Sequence, residues 1–147
     1  MKTHCSALET AEVILEWHDR NGCGISNIRL NFLLYFVQAW YLMKSNGKEA
    51  CFPEAIEARS YGPIVSEVYD RYKGNGSLDI MFGRKDKADI GRKDRQMIED
   101  VVEHFRNHSL LELHDLVLHQ RPWINAFHPH CTMKISNEAI ADYFMAG

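Results

Sequence analysis

Between Leu30 and Met43, 12 of 14 residues are hydrophobic, and only Asn31 and Gln38 interrupt the run. A helix needs roughly 20 such residues to cross a bilayer, so this one is too short and no membrane partner is expected. A helix apolar on every side has no face for water and must lie inside a core. Its start is marked by Ser26, placed to cap the free amides, with Ile25 and Leu30 at the positions of a hydrophobic staple. Its end is marked by Ser45-Asn46-Gly47. The aromatic residues Phe32, Tyr35, Phe36, Trp40 and Tyr41 share this helix with Leu33, Leu34, Val37 and Leu42 and have no interleaved Lys or Arg, so they read as core rather than as a base-stacking platform. The expected architecture is a single, mainly α domain over residues 1–147, packed around a buried helix from Ser26 to Lys44. A length of 147 residues suits it, because such a chain can bury about two thirds of its unfolded surface.

The remaining elements are placed by the same kind of signal. Ser6 and Glu9 have capping-box spacing, ahead of a face formed by Leu8, Ala11, Ile14, Leu15 and His18, and Asn21-Gly22 ends that helix. Gly62-Pro63 reads as a cap followed by proline in a first helical turn, leading into Ile64, Val65, Val68, Tyr69 and Tyr72. Asp94 begins a pattern through Met97, Ile98, Val101, Val102 and Phe105, and a second capping box, Ser109 with Glu112, precedes Leu110, Leu113 and Val117. Pro122-Trp123 opens a short turn of helix, and Ser136 caps a last helix anchored by Tyr143 and Phe144. One strand signal stands out, from Ala50 to Ala58, where Phe52 and Ile56 flank Pro53-Glu54; it predicts a small β-hairpin at about residues 50 to 60.

Charge narrows the function classes. With 17 Lys and Arg against 20 Asp and Glu, the net charge of -3 argues against a protein that coats nucleic acid non-specifically. The total hides a local feature: residues 84–95 hold six basic and three acidic residues. Bracketed by Gly83 and Gly91 and poor in apolar residues, this segment reads as an exposed loop. Arg92, Lys93 and Arg95 are its candidate contacts for an acidic protein surface or for DNA, which keeps a DNA-binding transcriptional regulator as the alternative function.

Catalytic and metal motifs do not accumulate. Six of the eight histidines, His104, His108, His114, His119, His128 and His130, fall between residues 104 and 130. His128, His130 and Cys131 have the residue types of a zinc site, yet HExxH and a second Cys/His pair are both missing. The sequence contains no GxSxG, GxxxxGK[ST] or GxGxxG. The expectation is a non-enzyme with no cofactor and no metal. Cys5, Cys23, Cys51 and Cys131 show no CxxC spacing and read as free thiols of a reducing cytosol. The start, Met1-Lys2-Thr3-His4 followed by Glu9, Glu12 and Glu16, has no secretory pattern, so a cytoplasmic location is expected.

Several segments resemble one known family. Ile25-Ser-Asn-Ile-Arg-Leu-Asn-Phe-Leu-Leu-Tyr-Phe-Val-Gln-Ala-Trp-Tyr41 is similar to the core helix of the SocA-like Panacea domain, typically I-[ST]-N-L-K-L-Q-K-L-L-Y-[YF]-A-Q-A-W. Glu57-Ala-Arg-Ser-Tyr-Gly-Pro-Ile-Val65 resembles its E-A-W-x-Y-G-P-V-V segment, Leu118-His-Gln-Arg-Pro-Trp123 its T-H-x-x-x-P-W element, and Ile135 through Phe144 its I-S-x-x-x-I-x-x-Y-F ending. Asn31-Phe32 stands where relatives carry Gln-Lys, Ser66 where a proline is common, and Leu118 where threonine is usual. The resemblance implies a phage-associated antitoxin that binds a cognate toxin protein directly or delivers it to a cytosolic AAA+ protease. Candidate motif or contact residues are then Tyr61, Gly62, Pro63, His119 and Trp123, beside Arg92, Lys93 and Arg95. Tyr61-Gly62-Pro63 also has a purely structural reading as a strand-to-helix corner. His119 and Trp123 are expected to pack together, with N–H groups that need partners if buried.

Overall fold

The computed structural model describes residues 1–83 and 88–146. Among them the order of elements is β1 (Lys2–Thr3), α1 (Ala7–Arg20), α2 (Asn27–Lys44), β2 (Glu49–Ala50), β3 (Ile56–Arg59), β4 (Gly62–Ile64), α3 (Ser66–Tyr72), α4 (Arg92–Phe105), α5 (Leu110–Leu118), α6 (Arg121–Ala126), β5 (Met133–Ile135) and α7 (Asn137–Ala146). The domain is mainly helical with two small sheets. As its composition demands, α2 is the hub: it packs on α1, α3, α4, α5, α7, β2 and β4. No helix of the described residues is long and apolar enough to cross a membrane.

The two polar interruptions of α2 explain how a greasy helix is held in one register. Gln38 is fully buried, and its side-chain oxygen accepts from the backbone N–H of Cys51 at 2.8 Å and of Phe52 at 3.1 Å, while its Nε2 donates to the Phe52 carbonyl at 2.8 Å. Asn31 is buried one face away; its Oδ1 accepts from Val65 N at 2.9 Å and its Nδ2 donates to the Asn27 carbonyl at 2.9 Å. Each amide satisfies backbone groups that have no strand partner, at fixed geometry. Hydrophobic burial alone is non-directional. These amides supply the direction.

Arg29 performs a related task at the start of α2, donating to the carbonyls of Phe105 at 3.0 Å and His108 at 2.6 Å and so closing the end of α4. The expected caps are present. Ser6–Glu9 and Ser109–Glu112 form reciprocal capping boxes, Ser26 accepts from Arg29 N, and Ser136 accepts from Ala139 N.

Three expectations are corrected. The hairpin does not turn at Pro53-Glu54. It is formed by β3 and β4 about a two-residue turn, Ser60-Tyr61, with Arg59 opposite Gly62, and β5 completes an antiparallel sheet in the order β4-β3-β5. β2 instead pairs in parallel with β1, and Phe52 is committed to the Gln38 side chain. Gly62-Pro63 is not the start of a helix; it lies in β4, an edge strand where a residue without an N–H is tolerated, and α3 begins at Ser66 behind the cap residue Val65. The basic segment is not one loop: residues 84–87 lie outside the described residues, and Arg92 to Arg95 form the first turn of α4.

Candidate functional site

The motif residues gather around Arg59 on β3. Gly62 has a φ of +135°, a region open almost only to glycine, and a Cβ placed there would lie 2.7 Å from Cζ of the buried Phe32. Phe32 therefore seals the hairpin onto α2. Tyr61, half-buried, accepts from the Arg59 guanidinium at 3.3 Å and lies 6.0 Å from the Tyr69 ring. Trp123 donates its indole N–H to the Arg59 carbonyl at 2.9 Å and stacks on Phe127 at 4.6 Å. His119 does not join them. It is exposed and bonds the Asp115 carbonyl of its own helix at 2.6 Å. The expected packing of His119 on Trp123 is therefore replaced by two separate anchors.

Beneath Tyr61, a charged network ties the sheet to α3. Arg59 pairs with Glu57 at 2.6 Å, and Ser66 Oγ donates to the same carboxylate at 2.7 Å, so this serine has a bonding role. Partial burial pushes the Glu57 carboxyl upward, but the hydrogen bonds from Arg59 and Ser66 and the charges of Arg59 and Lys134 outweigh it and hold the group below the usual carboxylate range. A carboxyl depressed in this way stabilises the fold fully above its unfolded value of about 4.3 and ceases to do so as pH falls through the lower folded value. Glu57→Gln is accordingly expected to lower stability at pH 7 and to differ less from wild type as the pH drops below about 4. Urea midpoints at the two pH values measure this; an equal difference at both would remove the ion pair from the account.

The basic trio is dispersed in role. Arg92 and Lys93 are exposed, whereas Arg95 is tied to Glu16 of α1 at 2.7 Å and to the Ala88 carbonyl at 2.9 Å. Arg95 thus docks α4 on α1. Among the described residues no group of three or more His, Cys, Asp and Glu side chains is placed to hold a metal ion. His128 and His130 face each other at 5.8 Å within a turn, with Cys131 exposed beside them.

The surface that sequence reasoning missed lies on α5, α6 and α7. Ten large hydrophobic residues are exposed among those described, and six of them are Leu110, Leu111, Leu116, Ile124, Tyr143 and Met145 on these three consecutive helices. Scattered exposed hydrophobes are ordinary on a protein surface, and here six of the ten fall on the last three helices. Between α6 and α7 runs a groove of about 700 Å³ whose lining includes Pro122, Ala139 and Tyr143, together with one cation, Arg121, and one anion, Asp142. Leu110 and Tyr143, expected to anchor their helices, are 40% and 38% exposed; Leu113 with Val117, and Phe144 against Tyr35 and Phe36, do the anchoring instead. A signal was present in the composition of α5, where six of nine residues are Leu or Val, more than one core-facing stripe uses.

The family model described as "Antitoxin SocA-like, Panacea domain" matches residues 30–124, nearly two thirds of the chain, from the body of α2 through Trp123 to the middle of α6. No curated protein and no solved structure matches the chain. A match of that extent, across the buried hub, the Tyr61-Gly62-Pro63 hairpin and the Trp123 anchor, places the chain in the antitoxin SocA-like Panacea domain family.

Proposed function

We propose that the protein is a protein-binding antitoxin that neutralises a cognate toxin, by direct contact or by delivering the bound toxin to a cytosolic AAA+ protease, with no catalysis of its own. Membership in the antitoxin family carries the reading. The exposed apolar side chains of α5 to α7 support a protein partner over a nucleic acid, and the proposed docking face is there. Tyr61, Gly62 and Pro63 then act as scaffold, holding the sheet and the Trp123 anchor at the base of α6. The DNA-binding alternative loses support, since Arg95 is engaged by Glu16.

The test is co-expression with the product of the adjacent open reading frame. Growth inhibition by that product alone, relieved by this protein, is the expected result; a harmless neighbour, or toxicity unchanged by verified co-expression, overturns the reading. Leu111 and Ile124 are 69% and 49% exposed, so Leu111→Glu with Ile124→Glu is expected to leave the Tm within about 2 °C while reducing rescue at least about tenfold, as when central apolar contacts are lost from an interface. Full rescue by the double variant would move the docking face elsewhere. Toxin abundance separates the two routes: it falls on co-expression only if delivery to a protease is the mechanism.

A further inference from the structure

Cys5 and Cys51 lie 46 positions apart in sequence, yet their sulfurs are 3.7 Å apart. Two backbone hydrogen bonds, from His4 N and Cys5 N to the Cys51 carbonyl, each 3.0 Å, continue the parallel β1–β2 pairing and bring the two main chains to strand spacing. Paired strands at about 5 Å fall within the Cα separations that disulfides span. The environments of the sulfurs differ. Cys51 is fully buried and Cys5 is half-exposed, and the Thr10 hydroxyl lies 3.2 Å from Cys5 Sγ and 3.4 Å from Cys51 Sγ while donating to the Ser6 carbonyl.

We propose that Cys5 and Cys51 form a peroxide-responsive dithiol, in which the accessible Cys5 is oxidised first and the buried Cys51 resolves it to an intramolecular disulfide. The Cys5 thiolate attacks the O–O bond of a peroxide, leaving Cys5 as a sulfenic acid and releasing the other oxygen as an alcohol or, from hydrogen peroxide, as water. The Cys51 sulfur then attacks the Cys5 sulfur and loses its proton, and the hydroxide displaced takes up a proton and departs as water. The sum is two thiols and one peroxide giving a disulfide, water and the reduced peroxide.

Bonding supports this order. The hydrogen bond from Cys51 chiefly holds the Cys5 thiol below its ordinary value against the opposing effects of burial and of the Asp94 and Glu9 carboxylates, while burial, with the bond to Cys5, drives the Cys51 thiol up. Exposed Cys23 and Cys131 have no neighbouring cysteine sulfur, so oxidation there has no resolving partner within the chain. The inference is independent of the toxin-binding reading.

The full-length Cys23→Ser, Cys131→Ser protein, treated with hydrogen peroxide and then denatured with a thiol-alkylating reagent, provides the test. The expected result is loss of both titratable thiols, a mass lower by two hydrogens, a single cross-linked peptide joining Cys5 to Cys51, and full reversal by dithiothreitol. Adding Cys5→Ser to the same background, with an unchanged circular dichroism spectrum, is expected to leave the Cys51 thiol intact through the same treatment. The proposal is overturned if Cys5 proceeds to sulfinic acid while Cys51 stays a free thiol, if the disulfide joins two chains, or if Cys51 oxidises equally well without Cys5.

Discussion

Replacing Gln38 with leucine is expected to destabilise the fold by about 3 to 6 kcal/mol, enough to leave little folded protein if the starting stability is at the lower end of the usual range of about 5 to 15 kcal/mol. Leucine is apolar and of similar length, and the site is fully enclosed, so intuition from the hydrophobic run around it favours the change. The bonding says otherwise. Three backbone groups, the N–H of Cys51 and of Phe52 and the Phe52 carbonyl, are satisfied by this one side chain. Phe52 and Cys51 are both fully buried, so water does not take over. A buried polar group left without a partner costs roughly 1 to 3 kcal/mol, and here three are orphaned at once. The same segment holds β1 through the Cys51 carbonyl, so fraying at residues 1–6 should accompany the loss. Chemical denaturation measures the difference, with far-UV circular dichroism to register outright unfolding. A loss below about 1 kcal/mol would show that the amide is not the clamp described here.

Gln38 also illustrates how much of the fold was legible. A glutamine in an apolar run is visible in the sequence, but its partners are 13 and 14 residues away in a segment with no regular structure of its own. Phe52 therefore looked like half of a hairpin, because alternating apolar residues around Pro53-Glu54 carry that signal whether the backbone pairs with a strand or with a side chain. Caps were legible because they are local: Ser6 with Glu9 and Ser109 with Glu112 satisfy amides three residues away. Pro63 misled for a definite reason. A residue without an N–H suits both the first turn of a helix and an edge strand, and only the place of β4 at the edge of its sheet, paired with β3 alone, decides between them.

The exposed apolar residues of α5 to α7 were the least legible part. Leu110, Leu111, Leu116 and Ile124 are as apolar as any core residue, and α5 and α6 are short helices whose inner faces are already filled by Leu113, Val117 and Pro122. What separates exposed from core-facing leucines is the number of neighbouring elements available to cover them, a tertiary quantity. By contrast, the signature residues are tied to the body of the fold: Tyr61 and Trp123 bond to Arg59, Gly62 lies against Phe32 and Pro63 stands opposite Ala58.

Gly62→Ala should test that attachment most directly, with an expected destabilisation of about 2 to 5 kcal/mol from two separable sources. The first is backbone strain: a φ of +135° is a conformation that side chains rarely adopt, at roughly 1 to 3 kcal/mol. The second is steric, because the new methyl would lie 2.7 Å from Cζ and 3.2 Å from Cε1 and Cε2 of Phe32, a ring held at 1% exposure in the core with nowhere to withdraw. Overpacking of this kind typically costs about 1 to 3 kcal/mol. A double-mutant cycle with Phe32→Leu divides them, since the smaller side chain relieves the contact and leaves the backbone term untouched. The two substitutions together are expected to be less damaging than the sum of their separate effects by about 1 to 2 kcal/mol. Strict additivity would assign the whole penalty to the backbone, and a Gly62→Ala protein as stable as wild type would mean that the hairpin is not seated on Phe32. Because the turn leads through Arg59 to the Trp123 indole, the variant should also expose that ring, red-shifting tryptophan fluorescence in the folded state before any global unfolding.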